Sequence, residues 1–224
     1  VPWQYIFGRG LTNFIILNLY LYFEEGFKFW KNYLKIGKSG IIGGAGLGIA
    51  MISFIYSITN TTAAITLLCL AAMPFFTALL AFIFLKEHIS INVWISIIIA
   101  TIGIIIMAFG NSGENSLVGF IFGLTSSIGF SVFSVTLRWR KETPKFTTVA
   151  FAGLFCFIFA TVMILFKGQV FFSSSYNSSL FSLHGTIVCL GLILYSIGSK
   201  AIPAAELTLL SLTEVIGGIF WVWL

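Results

Sequence analysis

Apolar residues run for about twenty positions at a time along this chain, and short stretches of Gly, Ser, Asn and Lys separate the runs. Bounded by that punctuation, eight segments emerge: 3–23, 40–58, 61–85, 89–109, 117–137, 147–166, 180–197 and 203–224. The hydrocarbon core of a bilayer, about 30 Å thick, takes roughly 20 helical residues per crossing. A transmembrane strand would need only about ten residues of alternating polarity, whereas these runs are apolar on all sides. Each is therefore predicted to be a membrane-spanning helix.

Composition agrees with the pattern. Of 224 residues, 58% are hydrophobic and 8% charged, with a mean hydropathy of +1.05, against about 25% charged in soluble domains. The expected class is an all-α polytopic membrane protein. A secretory signal is excluded, because the runs are too long and too many and residue 1 is Val. With Val at one end and an apolar run through Trp221 and Trp223 at the other, the chain is expected to continue in both directions. Cys69, Cys156 and Cys189 each fall within a span without metal-ligand spacing and read as small packing residues.

The net charge of +5 would suggest an anionic partner if the cations formed one patch. They fall instead in short clusters between spans, which argues against nucleic acid. The connections after spans one, three, five and seven hold Lys28, Lys31, Lys35 and Lys38; Lys86; Arg138, Arg140, Lys141 and Lys145; and Lys200, while only Arg9 and Lys167 remain for the opposite side. The positive-inside rule makes the first set cytoplasmic, with the protein placed in the inner (cell) membrane. Lys28 to Lys38, interleaved with Phe29, Trp30, Tyr33 and Ile36, reads as a basic amphipathic segment on the inner leaflet. Two roles are open to it, an interfacial anchor and a lipid-sensing arm.

An internal repeat gives the spans an order. Tyr56-Ser57-Ile58 followed by Ala63-Ala64 at the start of span three parallels Tyr195-Ser196-Ile197 followed by Ala204-Ala205 at the start of span eight. Span two then pairs with span seven and span three with span eight. A separation of five places the partners in opposite orientation, a transporter signature. Two inverted five-helix repeats follow, with boundaries at 1–110 and 116–224, and one further helix is expected before Val1 and one after Leu224.

These residues resemble a known family. Tyr56-Ser57 through Thr61-Thr62-Ala63-Ala64, then Pro74-Phe75-Phe76-Thr77-Ala78-Leu79-Leu80 and Phe84-Leu85-Lys86-Glu87, with Trp94 and Gly103, look like the first EamA domain of the drug/metabolite transporter superfamily. Ala204-Ala205-Glu206-Leu207 and Leu212-Thr213-Glu214, leading into Trp221-Val222-Trp223-Leu224, look like the second. The resemblance covers helices two to nine of ten and implies a transporter fold with no fixed substrate. One departure stands out: the counterpart of Pro74 is Val215, so a helix-breaking proline is not shared by the two halves.

Ionisable groups inside spans cost about 2.5–3.5 kcal/mol on insertion scales and usually face a cavity or a partner. Glu214 lies eleven residues past Pro203, roughly 16 Å along a helix and near the midplane, where it can bind a proton or a cationic substrate group. Its bland alternative is a protonated carboxyl bonded to a neighbouring helix. Glu206 is about 80° around the same helix, so both can border one cavity, while its place in the first turn equally suits dipole capping. Arg9 is open to two roles, snorkelling to the outer surface or, as the resemblance implies, pairing with an acidic substrate or another helix's carboxylate. His184, at the outer start of span seven, is open to reading as a satisfied interfacial histidine or as a proton relay. Tyr56, Asn60, Thr61 and Thr62 form one polar corner and Tyr195 with Ser199 a second, open to reading as gates or as ordinary loop chemistry. Asn60-Thr61-Thr62 and Asn177-Ser178-Ser179 match a glycosylation sequon, a frequent chance match.

Gly40, Gly44 and Gly48, and Gly119, Gly123 and Ser127, form small-residue stripes for close helix approach. The glycines lack nucleotide-loop spacing, and Trp3, Trp94, Trp139 and Trp221 suit interface belts. No catalytic, metal or cofactor set is expected. The function expected is secondary transport of a small metabolite or drug-like solute by alternating access, in the export direction, with membrane lipid as the other partner and a homodimer left open. The rivals are a lipid-flipping or non-transporting scaffold of the same fold and, further off, a membrane-embedded lipid enzyme.

Overall fold

The computed structural model describes residues 2–110, 117–139, 144–172 and 174–223. Among them every regular element is helical. Each predicted span is recovered as helix: α1 (Pro2–Glu25), α3 (Gly37–Asn60), α6 (Ile91–Gly110), α7 (Leu117–Trp139), α8 (Lys145–Phe166) and α9 (Ser175–Gly198) are continuous. Spans three and eight are each divided, into α4 (Ala63–Leu70) with α5 (Met73–Leu80), and α10 (Ala204–Leu210) with α11 (Leu212–Trp223). Five of these stretches among the described residues are long and apolar enough to cross a bilayer. The chain is an all-α, multi-pass membrane protein.

The basic segment after α1 is built from short pieces. A 3-10 turn (Gly26–Phe29) leads into the five-residue α2 (Trp30–Leu34), and Lys38 already belongs to α3. Gly26 and Gly37, both at positive φ, supply the bends that break the pattern. The Tyr33 hydroxyl donates to Asn18 Oδ1 at 2.8 Å and ties α2 back to α1. Arg140 and Lys141 lie outside the described residues, as do the side chains of Lys145, Val215 and Trp221.

The bundle is organised by two close pairs, α3 on α7 and α1 on α8, with α3 also against α8 and α9 against α1. Lipid offers little hydrophobic drive to helix association, so close approach and interhelical hydrogen bonds carry it. The predicted small-residue stripes lie at these contacts. A methyl group at Gly44 or Gly48 would meet the rings of Phe151 or Phe155 of α8 at 2.6 and 2.5 Å. One at Gly119 or Gly123 would strike Thr61 and Cys69 at 2.7 Å. The three cysteines are fully buried and free.

Polar groups on α7 bind the neighbouring backbones. Ser126 donates to Ala50 O at 3.0 Å, Ser127 to Cys69 O at 2.5 Å and Ser131 to Met73 O at 3.1 Å. The last two carbonyls flank the division between α4 and α5. There Pro74, near the start of α5, has no amide hydrogen to offer Leu70 O, and the chain turns at Ala71 and Ala72.

The division at Ser211 arises without a proline. Ser211 Oγ takes Thr208 O at 2.7 Å and Thr213 Oγ1 takes Leu210 O at 2.8 Å. These are the carbonyls that a continuous helix would present to the amides of Leu212 and Glu214. The Glu214 amide turns to Ser211 O at 3.0 Å instead. The absence of a second proline therefore did not predict an unbroken helix; the helix turns at Ser211, where two hydroxyls bond the local carbonyls.

Candidate functional site

A cavity of about 470 Å³ lies inside the bundle, and both helix divisions open onto it: Leu70 and Met73 from one, Ser211 and Glu214 from the other. α3 contributes Leu47, Met51 and Phe54, α7 contributes Ser126 and Phe130, and α9 contributes His184, Val188, Gly191 and Tyr195. With Ile187 and Leu192, which also line it, these α9 residues recur at i, i+3, i+4, i+7, i+8 and i+11, one helical face. Arg9 comes in from α1.

Arg9 is 7% exposed. It does not snorkel to the end of the bundle; its guanidinium carbon stands 5.9 Å from the centroid of the Phe54 ring. Its Nε and Nη1 are buried and make no hydrogen bond. Gly185 of α9 sets its place, since a methyl group there would come within 3.2 Å of the Arg9 Cα and carbonyl oxygen. Two charged donors without hydrogen-bond partners in a low-dielectric interior are costly, and an acidic group on the same cavity offsets part of that cost. Glu214 faces the same space from the first turn of α11.

Other sequence candidates divide between this cavity and elsewhere. Tyr195 lines the cavity, its hydroxyl paired with Ser134 Oγ at 2.7 Å and its ring 5.0 Å from that of Phe130. Glu206 does not: it is exposed in the first turn of α10, where a carboxylate complements the helix dipole. Tyr56 faces a different cavity, with Trp3 and Phe122 around it. Asn60 is exposed and donates from its amide to Tyr56 O at 2.7 Å, closing the end of α3.

Two residues differ from their sequence reading. His184 lines the central cavity rather than the interface, its Nδ1 paired with the Tyr5 hydroxyl. The stripe it shares with Tyr195 was the available signal. Trp3, expected in an interface belt, is buried against Tyr56 and Phe159. Sequence reasoning also missed a clamp at the end where α7 finishes. Arg138 Nε donates to Glu87 Oε1 at 2.7 Å, and its Nη1 reaches Ile202 O at 2.7 Å and Ser199 O at 3.4 Å. One side chain thus joins three segments. The described residues contain no His, Cys, Asp and Glu cluster able to hold a metal ion.

Residues 1–109 match the EamA-like transporter family. Two proteins from Helicobacter pylori, each named "Uncharacterized transporter", are similar: that of strain J99 is 27% identical and that of strain 26695 is 26% identical, both over 144 residues. Each match covers 63% of this chain and 47% of the relative, so the chain spans about half the length of the curated relatives it matches. Residues 1–109, just under half of the chain, thus carry an EamA-like transporter family domain.

Proposed function

We propose that the chain forms the central part of an inner-membrane secondary transporter of the drug/metabolite kind, exporting a small anion-bearing metabolite by alternating access. Its two halves, 1–110 and 116–224, are inverted repeats that rock about the central cavity. The connections carrying Lys28–Lys38, Lys86, Arg138–Lys145 and Lys200 face the cytoplasm. The carrying observation is Arg9, whose buried Nε and Nη1 lack partners in a cavity bordered by two divided helices. A carboxylate or phosphate of the solute satisfies those donors. Glu214, on the same cavity, takes a proton or a cationic group of the solute.

Full-length protein in proteoliposomes, offered labelled metabolites and lipids with and without a pH gradient, tests this. Saturable flux of an anion-bearing solute is expected, abolished by Arg9→Gln. Glu214→Gln is expected to leave residual flux that no longer responds to the gradient. Lipid movement without solute flux would replace this reading with lipid flipping. Flux indifferent to both substitutions would remove the cavity from the mechanism.

A further inference from the structure

On the other face of α3 lies a second cavity, of about 440 Å³. Leu47, Met51 and Phe54 border the first, whereas Ile49, Ile52 and Tyr56 border this one, so α3 is the wall between them. Its walls are mainly rings. Trp3 stands 5.0 Å from Tyr56 and 5.7 Å from Phe159, Tyr56 stands 5.3 Å from Phe122, and Phe155 stacks on Phe159 with 10° between planes. Ile49 and Phe159, each 43% exposed, form a rim on the lateral surface of the bundle. The groove therefore opens toward lipid.

Two polar groups meet at one end of this apolar trough. Lys167, exposed just past the end of α8, holds its Nζ 5.9 Å from the centroid of the Trp3 ring. Trp3 is only 6% exposed, and its indole Nε1 is buried with no hydrogen-bond partner. Among the described residues no acidic residue lines the groove. Of the described acids near the ends of spans, Glu24 and Glu25 close α1 at the opposite end from Trp3 and Glu87 is held by Arg138, while Glu114 and Glu142 lie outside the described residues. Walls made mainly of aromatic and aliphatic side chains suit a hydrocarbon chain, and an ammonium at the mouth suits a phosphate.

We propose that this groove is a binding site for an anionic phospholipid, with an acyl chain along the Phe155–Phe159–Tyr56 wall and the headgroup phosphate at Lys167. The site is separate from the central cavity and does not depend on what that cavity carries. A lipid with a neutral headgroup gains the apolar contacts alone; the anionic one gains the Lys167 charge as well.

The test uses the full-length protein in vesicles of equimolar phosphatidylcholine and phosphatidylglycerol, with one or the other carrying a diazirine on its acyl chain, and adducts mapped by mass spectrometry. Groove residues Phe155, Phe159 and Met163 are expected to label about five-fold more with phosphatidylglycerol than with phosphatidylcholine. Ile95 and Ile99, exposed on α6, are expected to label equally with both and serve as the internal reference. Lys167→Gln should bring the groove ratio to that of α6, and Lys167→Arg should preserve it. Equal labelling of the groove by both lipids, or an enrichment unchanged in Lys167→Gln, would overturn the proposal.

Discussion

Gly10 and Gly153 face each other reciprocally: a methyl group on either would lie 3.0 Å from the carbonyl oxygen of the other. Each is the ninth residue of its helix, α1 and α8. The helices run antiparallel, with Trp3 near Phe159 at one end and Tyr20 near Phe146 at the other. Two antiparallel helices approach reciprocally where they cross, and two glycines at that point let the backbones come this close.

Substitution at this crossing should be costly. Gly10→Ala and Gly153→Ala each force a methyl group into backbone and are expected to destabilise by about 1–3 kcal/mol. Because they share one contact, the double variant should lose less than the sum. Thermal melting of the purified protein measures both, and two neutral single variants would refute the close packing.

Arg9 should trade stability for binding. Arg9→Met removes a buried charge whose Nε and Nη1 lack hydrogen-bond partners and is expected to stabilise the protein by about 1–4 kcal/mol while abolishing solute-dependent stabilisation. Melting curves with and without the transported solute report both effects together. A destabilised Arg9→Met would mean that the guanidinium is already satisfied within the bundle.

The Ser127 and Ser131 hydroxyls hold the turn between α4 and α5. Ser127→Ala and Ser131→Ala are each expected to cost about 0.6–1.7 kcal/mol, the range for interhelical hydrogen bonds in a membrane protein. Amide hydrogen exchange should accelerate at Ala71 to Met73 ahead of the rest of α5. Exchange that rises uniformly through α7 instead would place the role elsewhere.

Arg138 joins three segments, but its two kinds of contact are unequal. The pair with Glu87 is about a quarter exposed on both sides, so Glu87→Gln should cost no more than about 1 kcal/mol. Arg138→Ala also frees Ile202 O and should cost more. Cysteine labelling at Ala201, with either variant as background, should rise only for Arg138→Ala. Equal labelling in both would make the ion pair the main contact.

The helices were legible because the bilayer imposes one length and one polarity on every span. The small-residue stripes were legible because four-residue spacing reports a face directly. Glu214, Arg9 and Tyr195 were found because polar groups inside apolar runs are conspicuous. Glu206 was indistinguishable from Glu214 by that criterion, since an 80° separation leaves facing to be decided by neighbours far away in sequence. The Arg138 clamp joins residues from three connections, and no local pattern encodes such a meeting. The interruption at Ser211 has no proline to announce it, and hydroxyls bonded to their own helix also occur in unbroken α7.

The two interruptions differ in permanence. The one beside Pro74 cannot be repaired by any rotation of side chains, because a donor is missing from the backbone itself. The one at Ser211 has every backbone amide in place, so nothing in the covalent chain forbids a continuous helix there. The two halves therefore meet the cavity through unlike joints, one with a proline and one without, and Glu214 belongs to the second.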